Sequence, residues 1–222
     1  MKYCRVKKAD TLQELQAFIE GNPQVDVPLH YLQTNSVYVL TLDGEVIGGF
    51  VYGTGPNYRY VERMGEPELR RHYQDIFSRL NLAELTILWL RRDYRKTLYS
   101  LILWWHVALK CFFGPADYIV FGTSVPVLTQ ALDYPSNTVK IVTYDLKREY
   151  QEKYKLGALS LFVVERGRTL VSMIQGVFFL VFRPQWRLKK TGRLHALIAE
   201  QTSAADTKPY PQFSPPRIQF GR

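Results

Sequence analysis

Cysteine is scarce in this chain of 222 residues, with Cys4 and Cys111 the two present. So wide a spacing excludes a disulfide framework or a cysteine-based metal cluster. It suits reduced, mostly buried thiols in a cytoplasmic protein, with peripheral membrane contact left open. The four histidines, His30, His72, His106 and His195, include no pair at helical i, i+4 spacing, so no metal site is expected. Long apolar runs are missing as well. Uncharged, largely apolar stretches such as Thr97–Leu109, Tyr118–Leu132 and Thr169–Phe182 fall short of the about 20 residues that span a bilayer. MKYCRVKKAD moves at once from a short strand-like run to charge and does not read as a signal peptide. No Walker loop, G-x-G-x-x-G or G-x-S-x-G motif occurs, which removes the common nucleotide-binding and hydrolase templates.

Charge is present but unevenly placed. Residues 166–222 hold ten Lys/Arg against Glu200 and Asp206, whereas residues 1–165 hold 19 basic and 18 acidic residues. The body is thus near neutral and the C-terminal part basic. This argues against a nucleic-acid footprint on the core and for a protein or anionic membrane partner near the C-terminus.

The local patterns predict strands and helices in alternation. Tyr3–Val6 reads as a short strand and Ala9–Glu20 as a helix capped by Asp10 or Thr11, and Asn22–Asn35, with two prolines, reads as loop. VYVLTLDGEVIGGFVYG (Val37–Gly53) predicts a hairpin turning at Asp43-Gly44, with Gly48-Gly49 marking a bulge or a close approach. Glu66–Leu80 predicts a helix with Pro67 in its first turn. Leu82–Leu90 predicts a strand with Glu84, Thr86 and Leu88 on one face and Leu85, Ile87 and Trp89 on the other. From Arg95 or Thr97 to Phe113 runs a helix apolar nearly all round, expected to be buried on most sides. Asp117–Phe121, Thr138–Tyr144 and Leu159–Glu165 read as strands, with a short helix or turn at Ser124–Ala131 and a charged helix near Leu146–Lys155. Thr169–Phe182 is ambiguous between helix and strand.

This order describes an α+β chain around a mixed, mainly antiparallel sheet flanked by helices. On that order, and on the pair Tyr94-Arg95 opening the helix after the central strand, the chain resembles the GNAT superfamily of Gcn5-related N-acetyltransferases. The resemblance covers about residues 1–165. It leaves 166–201 as an apolar then basic extension, and 202–222, with four prolines, as a flexible tail. The family's phosphate loop carries glycines where this chain has Leu98 and Ser100. A helix N-terminus still offers N–H groups to an anion, and Arg91, Arg92, Arg95, Lys96, Thr97 and Ser100 add charge and hydroxyls. The resemblance implies that Arg92, Tyr94, Arg95, Lys96, Thr97 and Ser100 hold acyl-CoA, or the phosphopantetheine arm of an acyl carrier protein, as co-substrate without a metal. A turn filled by side chains suits the carrier, and it suits equally a fold that binds no coenzyme.

The resemblance also implies two catalytic positions. Glu84 stands early in the central strand, where the family places the base that deprotonates an amine. A carboxyl in an apolar strand is expected to have a raised pKa. Tyr134, in GTSVPVLTQALDY, stands near the position of the acid that protonates the leaving thiolate. Two functions follow: an N-acyltransferase, or a non-catalytic protein of the same fold that binds a complex or membrane through its C-terminus. There, GVFFLVFRPQWRLKKTGR joins apolar bulk to tryptophan and basic residues, and PYPQFSPPRIQFGR spaces aromatics between prolines as a docking peptide does.

Overall fold

The computed structural model describes residues 3–22, 27–95, 97–124, 138–154, 157–172 and 174. Seven strands form one sheet in the order β1-β2-β3-β4-β5-β7-β6. They are β1 (Cys4–Lys8), β2 (Ser36–Leu42), β3 (Glu45–Gly53), β4 (Leu82–Leu90), β5 (Tyr118–Thr123), β6 (Thr138–Asp145) and β7 (Ala158–Glu165). All neighbouring pairs are antiparallel except β4 and β5, which run parallel.

Helices follow from capping and turn chemistry. Helix α1 (Leu12–Glu20) starts at Thr11, whose hydroxyl accepts from the N–H of Glu14 while the Glu14 carboxylate returns to the N–H of Thr11. Lys7 of β1 pairs with that same Glu14 and so ties the helix to the first strand. Helix α2 (Leu29–Thr34) corrects the loop reading of 22–35. Pro28 does not end structure there; it is the N-cap, and Tyr31 and Leu32 are buried against the sheet. The β2–β3 hairpin turns at Asp43 (φ 51°) and Gly44 (φ 88°), both left-handed as the tightest hairpin turn requires.

Gly49 explains the glycine pair in β3. A side chain there would meet the Tyr38 carbonyl oxygen at 2.2 Å and the Phe18 ring at 2.8 Å, so α1 and the sheet can close this far because Cβ is absent. The β2–β3 register slips between Leu40 and Thr41, which places a bulge beside the same pair.

Short α3 (Arg59–Glu62) leads to α4 (Pro67–Arg79), which begins with proline as predicted and buries Ile76 and Phe77. Helix α5 (Leu98–Phe113) crosses between β4 and β5. Its inner face buries Leu103, Val107, Ala108 and Cys111 against Leu85, Leu90 and Ile119 of the sheet. Burial on most sides does not hold for it. Leu98, Leu101, Trp104, Trp105 and Phe113 are 40% to 77% exposed, because one face of the helix suffices to cover the sheet. Helix α6 (Arg148–Tyr154) joins β6 to β7. After β7, Arg166–Arg168 form a 3-10 turn, Arg166 donates to the Gly114 carbonyl at the end of α5, and Thr169 and Ser172 are buried.

Two clusters of apolar side chains sandwich the sheet. One joins α5 to Leu40, Phe50, Leu85 and Leu90, and the other joins α1 and α2 to Val37, Val39, Val51 and Trp89.

Candidate functional site

The site lies along β4. From Leu82↔Tyr118 to Leu85↔Phe121 this strand pairs with β5, and there the pairing stops. Strand β5 continues beside β7 as Gly122↔Leu161 and Thr123↔Ser160, while Thr86, Trp89 and Leu90 keep β3 as their partner. Among the described residues, the β5-facing edge of β4 therefore has no strand beyond Leu85. Parted strands leave backbone N–H and C=O groups that an extended, amide-bearing chain can pair with.

A bulge marks the same place. Ile87 has φ 52°, a conformation a β-branched residue adopts at a cost of about 1–3 kcal/mol. The β3–β4 register slips between Gly49 and Val51, so Ile87 and Leu88 together oppose Phe50. This overturns the strict alternation read from the sequence. Glu84 and Thr86 face the α1–α2 side as a pair, but after the bulge Ile87 and Trp89 join that side. Leu88 instead packs with Leu85 and Leu90 on the α5 side. One extra residue exchanges the faces of all that follow it.

Glu84 is 1% exposed and fully engaged. Its carboxylate accepts from the backbone N–H groups of Arg59 (2.9 Å) and Tyr60 (2.6 Å), where α3 begins, and from the Tyr31 hydroxyl (3.0 Å). The same hydroxyl lies 3.0 Å from Thr86 Oγ1. The buried Arg59 guanidinium lies over the Tyr31 ring, 5.3 Å from its centroid. Removal from water dominates, and it pushes the Glu84 carboxyl up to about 7 despite the N–H donors, Tyr31 and Arg59, which favour its charged form. Burial, then the Glu84 charge, pushes the Tyr31 hydroxyl far above its usual range. Burial lowers the Arg59 guanidinium. A carboxyl poised near neutrality can take up a proton at physiological pH, and Tyr31 and Thr86 provide a hydroxyl path from it toward the bulge.

At the other end of β4 the chain turns through a 3-10 segment, Arg92–Tyr94, into α5. Polar groups here bind mostly to one another. Arg91 pairs with Glu45, donates to the Tyr94 hydroxyl at 3.2 Å and lies over the Tyr94 ring. Arg95 Nε donates to the Leu90 carbonyl at 2.9 Å. Thr97 is the N-cap of α5. Its hydroxyl accepts from the Tyr99 N–H at 3.2 Å and donates to the Tyr94 carbonyl at 2.6 Å. The Ser100 hydroxyl donates to the Thr97 carbonyl at 2.7 Å. Arg92 is exposed.

The predicted residues thus fall into two groups. Arg92, Tyr94, Arg95, Thr97 and Ser100 come together at the turn, and Glu84 lies roughly 20 Å away by strand rise. A donor reaching both would have to run along the open edge of β4. Lys96 and Tyr134 lie outside the described residues. Sequence reasoning missed Tyr31, Arg59, Tyr60 and the Ile87 bulge. Nothing in the local pattern marks them, since Glu84 gathers its partners from 24 to 53 residues away. Among the described residues, no three His, Cys, Asp or Glu side chains are grouped to hold a metal, and no helix is long and apolar enough to cross a membrane.

No protein-family model matches the chain, and no curated protein does. Solved structures do. The AHL synthase LasI superposes with a TM-score of 0.52 at 10% identity, over 78% of this chain and 94% of LasI. FeeM, an N-acyl amino acid synthase from uncultured soil microbes, superposes with a TM-score of 0.51 at 8% identity, over 80% of this chain and 99% of FeeM. A GNAT family acetyltransferase from Elizabethkingia anophelis, with acetyl-CoA bound, gives 0.47 at 12% identity, over 74% of this chain and 97% of its own. At identities this low the likeness is one of architecture: the fold is that of LasI and FeeM, a mixed, mainly antiparallel sheet flanked by helices, and it agrees with the GNAT-like fold expected from the order of elements.

Proposed function

We propose that this chain moves an acyl group from a thioester, acyl-CoA or acyl carrier protein, to an amine. The observation that carries the reading is the parting of β4 from β5 beside the Ile87 bulge, with a buried carboxyl of pKa about 7 three residues away. The donor's pantetheine arm lies along the open edge of β4, its amides pairing with the strand, and its phosphate end meets the turn of Arg92, Arg95, Lys96 and Thr97. The amine loses a proton that passes through the Tyr31 hydroxyl to Glu84. Its nitrogen attacks the thioester carbonyl, the C–N bond forms, the C–S bond breaks, and the thiolate takes a proton for which Tyr134 is the candidate donor. The two superpositions above 0.5, with an AHL synthase and an N-acyl amino acid synthase, support acyl transfer by analogy of fold.

The turn favours a second reading, a non-catalytic binding protein of the same fold. Its hydroxyls and Arg95 are engaged internally, and the bulky side chains of Leu98 and Tyr99 stand at the helix start where close approach needs glycine. Thermal unfolding with acetyl-CoA, a long-chain acyl-CoA and an acyl carrier protein separates the two. A donor at 100 times its Kd adds about 2.7 kcal/mol to stability. The enzyme reading expects that shift with at least one donor, its loss in Arg95→Ala, and turnover of an amine that disappears in Glu84→Gln while the shift remains. Absence of a shift with every donor overturns it.

A further inference from the structure

The outer face of α5 has no role in either reading. Viewed down the axis, Leu98, Leu101 and Trp105 continue into half-buried Leu109 and Phe112 as one stripe, with Ile102 at its edge packed against the core. No charged residue interrupts it, and Leu98, Leu101 and Trp105 are more than 45% exposed, with Trp104 and Phe113 exposed at its margins. Val171 and Ile174, shortly after the 3-10 turn that packs against α5, are also exposed. A contiguous apolar patch on a folded domain marks an interaction surface.

We propose that this face docks on an anionic lipid bilayer, with α5 lying in the boundary between headgroups and acyl chains. Charge is the first argument. Arg92 and Arg95 are exposed where the stripe begins, Arg166 donates to the Gly114 carbonyl at its other end, and the sequence from 166 to 222 carries a net +8. The side-chain set is the second. Tryptophans on an apolar stripe flanked by arginines match the composition of helices that lie in the membrane interface. The third argument separates the bilayer from the chain's own continuation. Residues 177–182, VFFLVF, are apolar at every position, so covering α5 with them would bury one side of the segment and leave its other side bare. A bilayer takes up both. Arg183, Trp186, Arg187, Lys189 and Lys190 follow directly and suit the headgroup layer. The inference stands apart from acyl transfer and holds for either reading.

Flotation of the full-length chain with vesicles tests it. Binding is expected to phosphatidylglycerol-containing vesicles, weakening in high salt and at least about tenfold lower for Leu101→Glu/Trp105→Glu. These side chains are exposed, so the variant's melting temperature should match the parent. A second readout does not depend on that variant. In Trp186→Phe protein, Trp89 is buried, so quenching of fluorescence by bromine-labelled acyl chains reports Trp104 and Trp105 entering the bilayer. Undiminished binding by the double variant, with no quenching, would overturn the proposal and assign lipid binding to 176–190 alone. A dimer that the double variant dissociates, without vesicle binding, would overturn it too and make the face a contact between copies.

Discussion

The two polar clusters at the ends of β4 have similar chemistry and opposite physics. Around Glu84 the groups converge from three segments, α2, α3 and β4, and exclude water, so the carboxylate charge is costly and its pKa moves to about 7. Around Arg91–Ser100 the groups are close in sequence and stand at the surface, where water and salt screen them. Density of polar residues does not decide reactivity; convergence in a dry place does.

The comparison breaks most visibly at Glu84. Replacement by Ala leaves two N–H groups, the Tyr31 hydroxyl and buried Arg59 without the carboxylate. Urea unfolding should show a loss of about 3 kcal/mol, and amine acylation should fall by about 10²–10⁴-fold. A loss under about 1 kcal/mol would mean that the cluster is wetter than described.

The second effect is the pH dependence. Folding raises the Glu84 pKa from 4.5 to about 7, so the folded chain holds this proton more tightly than the unfolded one. The stabilising contribution is full below pH 4.5 and is lost as pH rises through about 7. The melting temperature of the parent should fall across that window relative to Glu84→Gln, which cannot titrate. Acyl transfer should run the other way, with kcat/KM rising around pH 7 as Glu84 becomes the free base. Coincident curves for parent and variant would place the pKa elsewhere.

Smaller effects belong to the turn. Thr97→Ala removes the cap of α5 and should cost about 1 kcal/mol in denaturant unfolding. Arg91→Ala removes an exposed pair with Glu45 and should change stability less than Thr97→Ala does, the effect shrinking further in high salt. If Arg91 mattered more than Thr97, the turn would be the tighter of the two clusters.

Much of this was legible in the sequence, for reasons local to each element. The bounds of β4, the Asp43-Gly44 hairpin and the proline start of α4 follow from short-range chemistry, and each stands where the pattern places it. Glu84 was legible as a carboxyl in an apolar strand. Helix α2 was not, because Pro28 signals a loop and a helix start alike. The Ile87 bulge was not, because a β-branched residue gives no hint of a left-handed backbone and the strain is imposed by the pairing with β3. Nor was the exposed half of α5, since an unbroken apolar helix reads as core whatever surrounds it.

The seam between β4 and β5 has one more consequence. Strands β1–β4 and strands β5, β7 and β6 form two antiparallel blocks, stitched among the described residues from Leu82↔Tyr118 to Leu85↔Phe121. So short a parallel join makes the blocks natural units of partial opening, each exchanging its amide hydrogens with its own free energy. A ligand laid in the gap would stand in for the missing strand and make the sheet continuous. Its arrival would slow exchange in both blocks at once, turning two foldons into one.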